Sequence, residues 1–239
     1  MGEYKCILSI GIRCFTEIYL NELGYKNFSS PFGSLYLIST EQIIYLLKNG
    51  IESEKLIHTE NDKKYEKYNK QFGFRTIHIL FQNMMKIDNN NIHESFHKAT
   101  FAHHNLNNTK DVLHFNRCFE RLNIIKKNKI KTLFCLFYHV NYYGFKNIHL
   151  NDIIELAEYL SINFNCHLLV IHFCKTKTNK MVSLILKNDK ITLYYVNSDY
   201  TEYEKNEKYL KFIMNEMDIN NDELIKYDYF NDLIVNTKE

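Results

Sequence analysis

The run Thr132-Leu133-Phe134-Cys135-Leu136-Phe137-Tyr138 decides how the rest of the chain is read. It is apolar almost without a break, has the length of a strand and stops at His139. A strand with one wet face alternates apolar and polar residues, whereas one that is apolar throughout is covered on both faces. Cys166-His167-Leu168-Leu169-Val170-Ile171 repeats the pattern and stops at His172. Residues 4–10, with Cys6, Ile7, Leu8 and Ile10, form a third such run.

Between these runs the apolar residues return at helical spacing. Phe15, Ile18, Tyr19 and Leu23 predict a helix over 13–23 that Gly24 ends. Ser39 and Gln42 form a capping-box pattern that opens a helix to residue 48, before Asn49-Gly50. Val112, Phe115, Phe119, Leu122 and Ile125 mark the inner face of a helix over 110–126. Further helices are expected over 151–160 and 203–217. Residues 181–186 and 191–196, around Lys187-Asn188-Asp189-Lys190, read as a late hairpin. The stretch 52–71 reads as a polar surface loop or ragged helix, 76–81 as a strand, 88–91 as a turn and 93–98 as a short helix.

Buried strands separated by helices predict an α/β fold, Rossmann-like. It has a mainly parallel sheet, made mixed by the hairpin, with helices on both faces. No linker, repeat or shift in composition divides the chain, so residues 1–239 are expected to form a single α/β domain.

Composition excludes more than it assigns. A net charge of +2, with lysines and acids interspersed as in 202–211, gives no basic stripe for nucleic acid. No apolar run approaches the roughly 18 residues of a membrane span. The 6 cysteines contain no C-x-x-C pair, which points to free thiols in a reducing, cytoplasmic setting. No metal-ligand spacing occurs, so neither a metal nor a cofactor is expected.

Chemistry-bearing residues gather where such folds place ligands, just past the carboxyl ends of the strands. Gly11, Arg13 and Cys14 follow the first strand, and His139 and His172 end two others. His103, His104 and Asn105 lie in a loop before the long helix that carries Arg117 and Arg121. A cysteine on the first turn of a helix meets a positive dipole end and unpaired N–H groups, which favour its thiolate. With a histidine as base, and backbone N–H groups after Gly11 as oxyanion donors, acyl-transfer chemistry becomes available. Each residue also has a plain role. Cysteine is often only core, and Cys118, Cys135, Cys166 and Cys174 read as packing. His139 and His172 could cap backbone groups. Arg117 and Arg121 could grip an anion, or pair with Glu120 and Asp111, as their spacing favours. Nucleotide binding at the first turn would need more glycine than Gly11 alone.

The blocks Ser9-Ile10-Gly11-x-x-Cys14, Leu23-Gly24 and Ser30-Pro31-Phe32 resemble the opening of a family of uncharacterised papain-like cysteine peptidases from bacteria and large DNA viruses. Phe101-Ala102-His103-His104-Asn105 and Phe115-Asn116-Arg117-Cys118-Phe119-Glu120-Arg121 are similar to that family's histidine block and arginine helix. The resemblance implies Cys14 as nucleophile and His103 or His104 as base, with His104 nearer the arginines. It also implies a peptide or small acyl substrate and, for a viral chain, the host cytoplasm. Gly33 and Ser34 stand where the family carries aspartate and tryptophan, and Cys118 where it carries a second arginine. These departures make a degenerate member, acting as a protein-interaction or ligand-binding module, the alternative.

Overall fold

Five strands form the main sheet, and they explain the apolar runs. In a computed structural model these are β1 (Cys6–Ser9), β4 (Thr132–His139), β5 (Cys166–Phe173), β6 (Val182–Lys187) and β7 (Ile191–Val196), in the order β1-β4-β5-β7-β6. The structure describes residues 4–11, 14–33, 35, 39–59, 63, 66, 70, 76–78, 101, 104–139, 149–175, 180–198 and 202–230. The β1–β4, β4–β5 and β5–β7 pairs are parallel, and β6–β7 is the antiparallel hairpin. The fold is therefore α/β with a mostly parallel mixed sheet.

Helices cover both faces. Leu8, Phe134, Leu136, Leu168 and Val170 point to the face packed by α2 (Thr40–Asn49), α3 (Thr109–Lys127) and α4 (Leu150–Asn163). Ile7, Leu133, Phe137, Leu169 and Ile171 point to the face packed by α1 (Cys14–Glu22) and α5 (Tyr203–Glu216). Period-two geometry sends successive residues of one strand to opposite cores, which is why neither face reads as polar.

Local signals hold at the helix ends. Gly24 and Gly50 take positive φ of 78° and 66°, and the Ser39 side chain accepts from Gln42 N at 3.4 Å. Two expectations need correction. Residues 52–71 are not only loop, because Leu56–His58 forms β2 and pairs antiparallel with β3 (Thr76–His78). Three residues suffice when a partner strand supplies the hydrogen bonds that the polar composition does not suggest. Val112 lies on the outer side of α3, 36% exposed, and its place in the inner stripe is taken by Cys118 and Arg121. The expected turn at 88–91 and helix at 93–98 fall outside the described residues.

One contact sets the first helix. β1 ends opposite Cys135, so β4 runs on beyond it with no strand on that edge among the described residues. Thr16 of α1 fills the gap: its Oγ1 accepts from Phe137 N at 3.0 Å and lies 3.3 Å from Phe137 O, to which it donates. That hook fixes α1, and Cys14 at its start, over the carboxyl end of β1.

Candidate active site

Cys14 is the first residue of α1 and is neither buried nor fully exposed. The strand–turn–helix order puts its thiol at a helix N-terminus on the carboxyl edge of the parallel sheet. Gly11 is buried, and its N–H donates to Ser9 Oγ at 3.3 Å. Arg13 and His103 fall outside the described residues.

His104 comes with an acid. Its Nδ1 is 3.1 Å from Asp111 Oδ1, and the other Asp111 oxygen accepts from the Asn105 N–H at 2.9 Å. Asp111 sits in the first turn of α3, capped by Asn108, so the helix start fixes the carboxylate. Partial burial works against that charge. The Asn105 N–H and His104 outweigh it and hold the Asp111 carboxyl below its ordinary range. A carboxylate only accepts, so Nδ1 carries the proton and the Nε2 lone pair of His104 is the basic one. Phe115 meets the ring edge-on at 5.0 Å and His114 stacks on its face at 5.4 Å.

Among the described residues the arginines pair with no acid, contrary to what their spacing suggests. Asp111 is taken by His104 and Asn105. Arg121 is buried, donates to Ser29 O and to Cys118 Sγ, each at 3.1 Å, and lies over the rings of Phe28 and Tyr227. Arg117 is exposed.

The two strand-end histidines separate. His139 lies on the α1 side, stacked on Phe173 at 4.5 Å, with the ring of Phe15, next to Cys14 in sequence, 4.7 Å away. His172 faces the opposite core, stacked on Tyr138 at 4.5 Å and edge-on to Tyr195 at 4.8 Å. Both ring nitrogens of His172 are buried without a hydrogen-bond partner, so it caps no backbone group. Burial pushes its pKa down to about 4.

Position 33 explains itself in three dimensions. A Cβ on Gly33 would overlap the carboxylate of Glu17, one turn past Cys14 on α1. Glu17 is 8% exposed and ion-paired to Lys26 at 2.7 Å, and its Oε2 is buried without a partner. Thus an acid occupies the space a side chain at 33 would fill, supplied from a different element.

Three residues of this region escaped the sequence: Glu17, Asp111 as an acid for His104, and His114. The signal for two of them was present, because Asp111, His114, Cys118 and Arg121 recur in steps of three and four along α3. Glu17 left no such trace, since its significance depends on a turn folding back onto its helix. Among the described residues no group of three His, Cys, Asp or Glu side chains is placed to hold a metal, and no helix is long and apolar enough to cross a membrane. Comparison with known proteins gives no matching family model, no match among curated proteins and none among solved structures.

Proposed function

We propose that the chain is a cysteine hydrolase, peptidase-like or performing related acyl transfer, with Cys14 as nucleophile and His104 as base. The observation that carries this reading is the His104–Asp111 pair, 3.1 Å apart, with the second carboxylate oxygen tied to Asn105 N. An acid on Nδ1 is what a base needs to present Nε2 in the right tautomer and to tolerate the imidazolium that follows. In that chemistry His104 takes the Cys14 proton and the thiolate adds to an acyl carbon. The imidazolium then protonates the leaving group, and water releases the acid from the thioester.

Alkylation by iodoacetamide at mildly acidic pH, followed residue by residue by mass spectrometry, tests the proposal. Cys14 is expected to react faster than an ordinary thiol, and His104→Ala to slow it at least about tenfold. A Cys14 no faster than free cysteine would sink the reading. His139→Ala, run in parallel, separates the imidazole across Phe15 from the one paired with Asp111.

A binding role without catalysis is the second reading. It is favoured by two buried charges, Glu17 and Arg121, each with a polar atom (Oε2 and Nε) that is sealed from solvent and unpartnered. Such groups are costly to keep unless something uses them.

A further inference from the structure

The polar stripe on α3 runs from the surface at Asp111 into the core, where Cys118 is 1% and Arg121 5% exposed. Its hydrogen bonds have a direction. A guanidinium has only protons to give, so Arg121 Nη2 donates to Cys118 Sγ. Burial pushes the Cys118 thiol up to about 11, with Arg121 pulling against that and Glu17 of α1 adding to it. The sulfur therefore keeps its own proton at neutral pH, and His114 Nε2 lies 3.7 Å away to accept it. An Nε2 that accepts leaves the ring proton on Nδ1 and the imidazole neutral. Burial, and then the charges of His104, Arg121 and Arg117, also hold the pKa of His114 down, with Asp111 opposing.

His114 in turn lies flat against His104, with 13° between the rings. Two imidazoles at this distance do not readily carry charge together, so what one holds decides what the other can take. The groups facing the pair are Asp111, Arg117, Cys118 and Arg121 from α3, with Glu17 acting from α1 through the thiol.

We infer that Cys118 is a positioning residue for the candidate base: its buried S–H, braced by Arg121, occupies the Nε2 lone pair of His114, so that the ring stacked on His104 stays neutral. Cys118 acts through His114 and touches no substrate. The inference rests on His104 being the base, but it is read without catalysis.

Nitrogen-15 NMR of the histidine rings across a pH titration of the full chain provides the test. In the unmodified protein His114 shows the Nδ1–H tautomer and titrates below an ordinary histidine. Cys118→Val fills the space but removes the donor. It is expected to raise the His114 midpoint by about half a unit. Cys118→Ser keeps a donor and should leave that midpoint near its original value. His104→Phe retains a ring on the stack and should raise the His114 midpoint.

An unchanged His114 midpoint in Cys118→Val, or valine and serine variants that behave alike, overturn the inference. If the valine variant does not fold, the contrast between Cys118→Ala and Cys118→Ser serves in its place. A Cys14 inert to alkylation alongside the expected NMR shift would remove the hydrolase reading and leave only the hold of Cys118 on His114 standing.

Discussion

Glu17 and Gly33 share one space, and neither can be understood alone. Adding only a methyl at 33 forces the turn against a buried carboxylate held by Lys26. Gly33→Ala should therefore cost about 1–3 kcal/mol of stability in urea unfolding, in the range of an overpacked core site. Glu17→Ser clears the space, so the double variant should recover most of that loss. Additive costs would mean that the two side chains do not compete. The pair also bears on the resemblance. From sequence, Gly33 reads as a lost acid, whereas in three dimensions an acid is present there, carried by α1. Two carboxylates could not occupy that space together.

At the scale of elements, Thr16 shows how a helix is held by a strand edge as well as by its apolar face. It is fully buried and serves both backbone groups of Phe137, beyond the last residue that β1 can reach. Thr16→Val keeps the shape but orphans a buried N–H and C=O. It should destabilise the protein by about 1–3 kcal/mol and slow Cys14 alkylation if the helix start shifts. Thr16→Ser should be much milder. A valine variant as stable as the original would show that water replaces the hook.

The contrast with what the sequence discloses is physical. Strands β1, β4 and β5 are legible because burial on both faces leaves unbroken apolar runs, β7 because a turn marks its hairpin, and the helix ends because Gly24, Gly50 and Ser39 have local backbone reasons to be there. The hook, the Glu17–Gly33 exchange and the His104–Asp111 pair join residues through turns and edges, and periodicity does not encode such meetings. β2 was missed for a related reason, since a three-residue strand has no pattern of its own.

Across the molecule as a whole, pH enters through the histidines of β5. His167 is satisfied at both nitrogens, by Asp189 O at 3.1 Å and Thr192 Oγ1 at 2.8 Å, while His172 is satisfied at neither. With its folded-state pKa near 4, below an unfolded value of about 6.5, the unfolded chain takes up this proton first on acidification. The stability that neutral His172 confers is thus full above about pH 6.5 and declines toward pH 4. The loss is at most about 3 kcal/mol. His172→Phe, between the rings of Tyr138 and Tyr195, should flatten that part of the profile. Denaturant unfolding at a series of pH values reads the difference, and parallel profiles for the two proteins would remove His172 as the cause.

The pairing of β1 with β4 has a consequence for how the chain comes into being. Cys6 is in register with Thr132, so β1 must wait for a strand far along the chain before it finds its partner. Thr16 waits for Phe137 in the same way. Until then the segment bearing Cys14 cannot be seated, and β1 keeps its apolar side chains exposed. Cys14 is thereby made well before the contacts that seat it.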